Sequence, residues 1–405
     1  MSTRDGDYTR REFMAKPLAY LASAGLMGLG AEGLLKAAGS ASAAKLIMRP
    51  LGKTGISLPI VSMGVMNAEA PGLIIKSYEV GIRHFDTAAG YQGGRNEEMV
   101  GQVIRQLGVR DKVVISTKAH VRGTGDADPG ETKAALLKVF EGSLSRLQMD
   151  HVETLYLHGV HNAKSVNDAG VQAAMTQLKK EGKIRWCGVS THGGQADVLN
   201  ALAQSGFFDV TVVAFNYTMA DNQALLDAMQ LCASKGIGIT AMKTQAGGSN
   251  PKRQETYANE AQKSVRQTAV LKWVLQHPFI TTAIPGFTKF EQIDEDIPVA
   301  SNIAFTDDER NFLSNNAIKA SLEFCQQCGD CCQSCCGGAD VPTLMRTHMY
   351  AFDYQNLEHA RITLAEVEKG KGLDACGCCT CCTAKCSHTV NIRRKIEALK
   401  TIRLT

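Results

Sequence analysis

Cysteines are the residues whose type and spacing point most directly to chemistry in this chain. Of its 14 cysteines, 12 lie between Cys325 and Cys386. Two runs share the spacing C-x2-C-x2-C-x3-C, and they consist of Cys325, Cys328, Cys331, Cys335 and of Cys376, Cys379, Cys382, Cys386. Thiolates held this close in sequence are soft ligands that suit iron–sulfur clusters. The sequence therefore predicts a redox protein with two four-iron, four-sulfur (4Fe-4S) clusters as metal centres.

The double run resembles the cluster-binding segment of bacterial two-cluster ferredoxins, in which the fourth cysteine of each run ligates the other cluster. This resemblance implies two crossed ligand sets: Cys325, Cys328, Cys331 with Cys386, and Cys376, Cys379, Cys382 with Cys335. Four cysteines are surplus to them: Cys332, Cys336, Cys378 and Cys381. Two alternatives stay open, because paired C-x2-C units also bind zinc and exported proteins also form disulfide frameworks.

A second group of chemically capable residues lies upstream, at the ends of short apolar segments: Asp86, Tyr91, Lys118 and His158. Reduction of a carbonyl group requires a hydride on carbon and a proton on oxygen. A tyrosine relays that proton more easily when a nearby ammonium lowers its pKa from about 10. A carboxylate can hold the ammonium in place, and a histidine can donate a hydrogen bond to the substrate oxygen.

These residues require a scaffold that brings neighbouring strand ends together. From about residue 61 the chain alternates short apolar runs with amphipathic ones. The strand candidates are Val61–Met66, His84–Ala88, Val113–Lys118, Thr154–Gly159, Arg185–Thr191, Val210–Phe215, Gly238–Lys243 and Thr281–Gly286. Helical spacing recurs in Asn96–Leu107, Glu131–Leu147, Val166–Glu181, Asp221–Lys235 and Ser264–Gln276. Eight strands, each followed by a helix, predict an α/β fold of the (β/α)8 TIM-barrel type, with the chemistry at the C-terminal strand ends.

An open, doubly wound sheet is the competing architecture. No G-x-G-x-x-G motif follows the first strand candidate, so the fingerprint of a Rossmann unit is missing. The stretch Leu46–Leu58 predicts a hairpin at the bottom of the barrel. The predicted organisation is therefore a barrel over residues 46–318 and a small ferredoxin-like iron–sulfur domain over residues 319–405.

The constellation of Asp86, Tyr91, Lys118 and His158 resembles the catalytic tetrad of the aldo/keto reductases, over roughly residues 46–300. The segment Phe85-Asp86-Thr87-Ala88, with a tyrosine five residues after the aspartate, carries most of this resemblance. It implies an oxidoreductase that acts on a small carbonyl or alcohol substrate, with Tyr91 as the acid and base.

The same resemblance implies that a nicotinamide dinucleotide, NAD or NADP, binds across the barrel mouth. Ser190 would then contact the carboxamide, and Phe215 would stack on the nicotinamide ring. Lys289 and Gln292 would lie beside the adenosine 2′-phosphate. The family usually has an arginine at the Gln292 position. Because glutamine carries no charge, Lys289 would be the residue that pairs with that phosphate.

The N-terminal 43 residues resemble a twin-arginine (Tat) export signal. Thr9-Arg10-Arg11-Glu12-Phe13-Met14 precedes a weakly apolar run from Leu18 to Leu35, and Ala41-Ser42-Ala43 offers a cleavage site. Residues 1–43 are thus predicted to be a signal peptide that engages the Tat translocase. The expected location is the periplasm or the outer face of the cytoplasmic membrane. An uncleaved anchor and an ordinary amphipathic helix are the alternatives.

Composition limits the partners of this 405-residue chain. The net charge of +4, without a long basic run, argues against nucleic acid. The remaining Cys187 and Cys232 lie in apolar surroundings and are read as buried small hydrophobic residues. One hypothesis is an exported enzyme that exchanges electrons through its clusters, with a redox partner protein. The alternatives are a non-catalytic barrel that carries an electron-transfer module, and a conventional reductase with a zinc or disulfide module.

Overall fold

The computed structural model describes residues 45–246, 260–315, 323–377, 379, 382–388 and 390–402. The described residues from Leu46 to Ile402 belong to a single compact unit. The predicted signal at 1–43 and the surplus cysteines Cys378 and Cys381 lie outside the described residues. Within the described ranges, none of the helices combines the length and the apolarity that crossing a bilayer requires.

A short antiparallel hairpin closes one end of the fold, as the sequence predicts. Strands β1 (Met48–Pro50) and β2 (Ser57–Pro59) pair with each other, and the turn between them packs under the barrel. Gly52 in that turn has a φ of 55°, and a Cβ atom there would lie 2.3 Å from the carbonyl oxygen of Gly236. The close approach of the two backbones therefore requires glycine at this position.

Eight parallel strands form the barrel wall. They are β3 (Met63–Gly64), β4 (His84–Asp86), β5 (Val114–Ala119), β6 (Val152–Val160), β7 (Ile184–Thr191), β8 (Val210–Ala214), β9 (Gly238–Met242) and β10 (Thr282–Ala283). Each pairs with the next in sequence order. Parallel bridges from Val61 to Ala283 and from Gly64 to Gly286 join the first strand to the last. The predicted (β/α)8 barrel of eight strands is confirmed.

Helices fill the connections between the strands. They are α1 (Pro71–Glu79), α2 (Arg95–Leu107), α3 (Pro129–Leu147), α4 (Ala163–Val166), α5 (Ala169–Lys180), α6 (Gln195–Ser205), α7 (Gln223–Ser234), α8 (Glu260–Leu275), α9 (Phe290–Asp296) and α10 (Asp307–Ser314). All five helices predicted from the sequence occur, and the structure adds α1 and α6 between the strands where a barrel requires them.

Side chains alternate between the inside of the barrel and the layer of helices. Val210 and Val212 of β8 point inward, where they pack with Tyr156 and with Leu51 and Leu58 of the hairpin. Because strand side chains have a period of two, the intervening residues of β8 point outward to the helices. This alternation decides which polar residues near the strand ends face the mouth of the barrel.

The C-terminal region is helical in the part that the structure describes. It contains α11 (Val341–His348), which continues as a π-helical turn at Met349–Asp353, then α12 (Leu357–Leu364) and α13 (Ile392–Lys400). The side chains of Asp340 and Asn391 cap α11 and α13. A helix thus begins shortly after each cysteine run, as the sequence predicts.

This region packs against the mouth of the barrel within the same compact unit. Asn356 donates a hydrogen bond to Asn67 at 2.9 Å. Arg95 and Glu358 form a 2.7 Å ion pair. The predicted domain boundary at 318/319 falls in the undescribed segment 316–322, and beyond it the two parts share one apolar core.

Candidate active site and cysteine clusters

The four tetrad residues meet at the C-terminal ends of β4, β5 and β6. Lys118 forms an ion pair with Asp86, and its Nζ donates to the Thr87 carbonyl at 2.7 Å and to the Tyr91 hydroxyl at 3.3 Å. The rings of Tyr91 and His158 meet edge to face with centroids 5.9 Å apart. The structure therefore brings all four predicted residues into one contiguous group on the floor of the mouth.

Burial controls the electrostatics of this group. Burial, reinforced by the Asp86 carboxylate, raises the pKa of the Tyr91 phenol well above its usual value. The sequence predicted the opposite direction, because it took account of Lys118 and not of burial. Burial and then the charge of Lys118 hold the pKa of His158 well below its usual value. At neutral pH the phenol is therefore protonated and the imidazole uncharged.

A network of amides fixes the turn that carries Tyr91. Gln92, at a φ of 51°, donates to the carbonyl oxygens of Met66 and Ala68 at 3.0 Å each. Asn96 is fully buried. It accepts a hydrogen bond from the Thr87 hydroxyl and donates one to the carbonyl oxygen of Val65, which directly follows β3. Sequence reasoning missed both residues, although two amides within five residues of a catalytic tyrosine are a visible signal. They hold the phenol over Lys118.

A cavity of about 2,510 Å³, open to solvent, extends from the tetrad along the ends of the last strands. Asp86, Tyr91 and His158 line it, as do Lys289 and Gln292 on its far rim. The Gln292 Oε1 accepts from the backbone N–H groups of Thr288 and Lys289, so this side chain caps α9. Two of the four predicted cofactor-binding residues thus face the cavity.

Ser190 and Phe215 differ in their placement. The Ser190 hydroxyl is buried at the end of β7 and has no hydrogen-bond partner among the described residues. Phe215 is also buried, but it packs against Trp273 and His277 of the α8 segment, with ring centroids 5.1 Å away in each case. The prediction that Phe215 stacks on a nicotinamide ring is therefore corrected, because the inward positions of β8 are those of Val210 and Val212.

The far rim of the cavity is acidic. Glu291, Glu295 and Asp296 line it beside Lys289, and no arginine lines it among the described residues. Gln245 donates to both carboxyl oxygens of Asp296, at 3.0 and 2.9 Å, and burial raises the pKa of this carboxyl group well above its usual value. Lys289 is therefore the one cation that lines this rim among the described residues, whereas a doubly charged phosphate is best bound by an arginine or by several cations.

The geometry agrees with comparisons to known proteins. The sequence profile of the Aldo/keto reductase family matches residues 64–269. The chain belongs to the aldo/keto reductase family. It is therefore an oxidoreductase of that family, and the barrel described above is the family's fold.

Characterised relatives cover the barrel region of this aldo/keto reductase. L-glyceraldehyde 3-phosphate reductase of Escherichia coli (strain K12) is 23% identical over an alignment of 336 positions that covers 70% of this chain and 95% of the relative. L-galactose dehydrogenase of Arabidopsis thaliana is 25% identical over an alignment of 313 positions that covers 69% of this chain and 95% of the relative. An aldo-keto reductase from Klebsiella pneumoniae, solved in complex with NADPH, shares the fold with a TM-score of 0.53 and 23% identity, over 67% of this chain and 96% of its own.

In the C-terminal region, Tyr350 and His359 cover the mouth of this aldo/keto reductase barrel, and they are called the roof below. His359 stands edge to face against Tyr91, with centroids 5.7 Å apart, and Tyr350 packs on His359 at 4.2 Å. Tyr350 accepts a 2.8 Å hydrogen bond from Lys243, which follows β9. Sequence reasoning missed these roof residues, because no strand-end pattern marks a residue that arrives from a separate part of the chain.

Four thiols line a small pocket beside the roof. They belong to Cys325, Cys328, Cys331 and Cys386, the first crossed set expected from the sequence. Burial and the neighbouring thiols Cys332, Cys325, Cys328 and Cys386 raise the pKa of the Cys331 thiol to about 12. Only Cys331 of the four is buried, but four thiols this close to one another ionise together only when a metal centre supplies positive charge between them.

Three thiols of the second crossed set, those of Cys335, Cys376 and Cys382, lie close enough to interact electrostatically. Burial raises the pKa of the Cys376 thiol, and the thiols of Cys335 and Cys382 add to that rise. Cys379 has its Sγ 3.8 Å from that of the surplus Cys336. Cys336 therefore competes with the predicted ligands at this second group.

The structure also bears on the two remaining cysteines and on the disulfide and zinc alternatives. Cys187 and Cys232 are buried in the barrel, as predicted. No disulfide bond joins any two cysteines within the described ranges, so the disulfide alternative finds no counterpart there. The ligand atoms of Cys328, Asp330 and His388 lie within 4.8 Å of one another at the surface. The zinc alternative predicted from the sequence used the paired C-x2-C units and not this trio, so the trio does not test it.

Proposed function

We propose that this aldo/keto reductase interconverts a carbonyl compound and an alcohol, and exchanges electrons through two 4Fe-4S clusters in its C-terminal region. One observation carries the proposal: Cys325 belongs to the first thiol group and also lines a second cavity, of about 440 Å³, together with His192 and Lys243. His192 and Lys243 also line the large cavity that contains the tetrad. Contiguous side chains thus connect the two sites.

The four tetrad residues would transfer a proton to the substrate oxygen. Because the Tyr91 phenol stays protonated at neutral pH, it acts as the acid that protonates the oxygen of a carbonyl substrate. The phenolate that remains is stabilised by the Lys118 ammonium, whose Nζ lies 3.3 Å from the phenol oxygen. Asp86, bonded to Lys118, keeps that cation in place, and the uncharged His158 orients the substrate oxygen through a hydrogen bond. In alcohol oxidation the proton moves in the opposite direction.

A nicotinamide dinucleotide fits the residues present. The unpaired Ser190 hydroxyl is a free partner for a carboxamide, and the large cavity offers room along the strand ends. The dinucleotide, when bound, supplies two-electron chemistry at the carbonyl carbon. Ser190 would orient it, and Lys289 and Gln292 would contact its adenosine end.

Iron–sulfur clusters also fit the thiol groups. Apolar side chains, among them Met345, Val390 and Ile392, complete the lining of the first cavity and shield it from water. Clusters, when bound, would supply one-electron transfer, so two reduced clusters together would carry the two electrons that, with one proton, regenerate the dinucleotide after it has given up a hydride. The crossed sets would hold them, and a redox partner protein would exchange electrons with them.

Export by the Tat pathway belongs to the same proposal. The twin-arginine pattern at Arg10-Arg11 supports it, and Tat carries proteins that have already folded around their cofactors. The protein would then work in the periplasm or on the outer face of the cytoplasmic membrane. The names of two relatives suggest the class of substrate, since one is named for a phosphorylated aldehyde and the other for a sugar.

The alternative is a barrel that carries the electron-transfer module without catalysing a reaction. Val212 at an inward position of β8, where the family resemblance implies a glutamine, favours it. Anaerobically purified protein, assayed with NADH and NADPH on a panel of aldehydes, ketones and alcohols, separates the two. Turnover supports the enzyme. A protein that turns over none of them and releases no nicotinamide on heat denaturation is the scaffold.

We expect Gln292→Arg to strengthen NADPH binding about tenfold, since a guanidinium pairs a phosphate with two charge-assisted hydrogen bonds. NADH binding should change little. Dissociation constants from quenching of protein fluorescence measure both. Because Gln292 also caps α9, Gln292→Met is the matched control that loses the cap without gaining charge. Equal NADPH affinity in the Arg and Met variants would show that this rim does not hold the 2′-phosphate.

A further inference from the structure

Lys243 has an unusual backbone and a buried ammonium. It follows β9 with a φ of 56°, a left-handed conformation that is strained for a lysine. Its carbonyl oxygen is held by Asn216 at 3.2 Å and by the backbone N–H of Ala246 at 3.1 Å. The chain therefore keeps this side chain aimed at the roof of the mouth despite the strain.

The ammonium of Lys243 has no carboxylate partner among the described residues. Its Nζ donates to the neutral Tyr350 hydroxyl at 2.8 Å and lies 4.7 Å from the centre of that ring. The neighbouring cations differ, since Lys118 pairs with Asp86 and Arg346 with Glu366. A buried ammonium without an opposing charge is costly, so the site is incomplete as it stands.

The electrostatics agree with this reading. Burial, and then the charges of Arg346 and Lys118, lower the pKa of Lys243 to about 7. Asp353 lines the same cavity, but it lies 4.0 Å from Lys395, which offsets its charge. Lys118 and Arg346 thus have carboxylate partners, whereas Lys243 has none among the described residues, and an anion bound beside it would favour its charged form.

Two further polar atoms at the same place lack partners among the described residues. The Thr244 hydroxyl belongs to a residue that is 1% exposed, and the Nδ1 atom of His192 to one that is 7% exposed. Both residues line the large cavity together with Lys243. Lys243 is also close enough to His158 to contribute, after burial and other charges, to its low pKa. The three groups thus converge beside the tetrad.

We propose that Lys243, Thr244 and His192 form a subsite for the carboxylate or phosphate of the carbonyl substrate, so that the enzyme acts on acidic carbonyl compounds. This rests on the reductase activity proposed above. An ammonium, a hydroxyl and an imidazole N–H are donors that suit such a group. A phosphate of the dinucleotide has the same chemistry, and the test distinguishes these two sources.

The test compares matched aldehydes on the holoenzyme. The pairs are 4-carboxybenzaldehyde with benzaldehyde, and glyceraldehyde 3-phosphate with glyceraldehyde. We expect the wild type to prefer the anionic member in kcat/KM, and Lys243→Met to reduce that preference about 10- to 100-fold, as the loss of a charged hydrogen bond does. Lys243→Arg should retain most of it. Lys138→Met, on the outer helix α3, is the matched control and should leave the preference unchanged.

The outcomes separate the possible failures. If the wild type reduces neither member of either pair, with NADH or NADPH, the proposed function itself fails. If it reduces all four aldehydes and Lys243→Met leaves the preference intact, the subsite is wrong while the function stands. If Lys243→Met weakens NADH binding and spares the preference, the anion belongs to the dinucleotide and the substrate subsite is overturned. Should Lys243→Met fail to fold, Thr244→Val applies the same criteria, with an expected reduction of about threefold or more.

Discussion

Tyr91→Phe is expected to lower kcat for carbonyl reduction by about 10²- to 10⁴-fold, the usual contribution of a positioned acid. The substitution removes only the hydroxyl that lies 3.3 Å from the Lys118 ammonium. Lys118 keeps its bonds to Asp86 and to the Thr87 carbonyl, so the fold and dinucleotide binding should be preserved. Steady-state rates on any aldehyde that the wild type reduces, together with a thermal melt, measure the effect.

Tyr78→Phe is the matched control for that experiment. Tyr78 lies on the outer helix α1, where its ring packs against the guanidinium of Arg83 at 4.2 Å. The same loss of a hydroxyl there should leave kcat unchanged. Wild-type turnover by the Tyr91→Phe variant would show that another group protonates the substrate, and the tetrad assignment would then be wrong.

Cys386→Ala is expected to remove the first cluster, although Cys386 belongs to the second cysteine run. The reason is its position, since Cys386 lines the same cavity as Cys325, Cys328 and Cys331. Iron should fall from about eight to about four atoms per chain. The electron paramagnetic resonance spectrum of the reduced protein should match that of Cys328→Ala and differ from that of Cys382→Ala.

The surplus cysteine Cys332 supplies the control. It is exposed and lies outside both crossed sets, so Cys332→Ala should retain about eight irons. If Cys386→Ala instead gave the spectrum of Cys382→Ala, each run would hold its own cluster and the crossed sets would be refuted.

The barrel could be predicted because its strands are short, apolar and regularly spaced. The end positions of β4, β5 and β6 then placed Asp86, Lys118 and His158 together, since parallel strands end at one edge. Phe215 shows the limit of that reasoning. Its distance along the chain fitted a stacking role, but the alternation set by Val210 and Val212 turns it outward.

The electrostatics could not be predicted, because they depend on contacts that are distant in sequence. Tyr91 is buried in part by His359, which lies 268 positions further along the chain, and this burial raises its pKa rather than lowering it. Lys243 read as an ordinary strand end. The structure shows that its ammonium contacts the neutral hydroxyl of Tyr350, from the C-terminal region, where a carboxylate partner would be expected.

Analysis of iron, acid-labile sulfide and zinc in the anaerobically purified protein tests the central claim most directly, which is that a reductase barrel and two clusters work in one unit. We expect a brown protein with about eight irons and about eight sulfides per chain, which also releases a nicotinamide dinucleotide on heat denaturation. A colourless protein that contains zinc, or no metal, would contradict it.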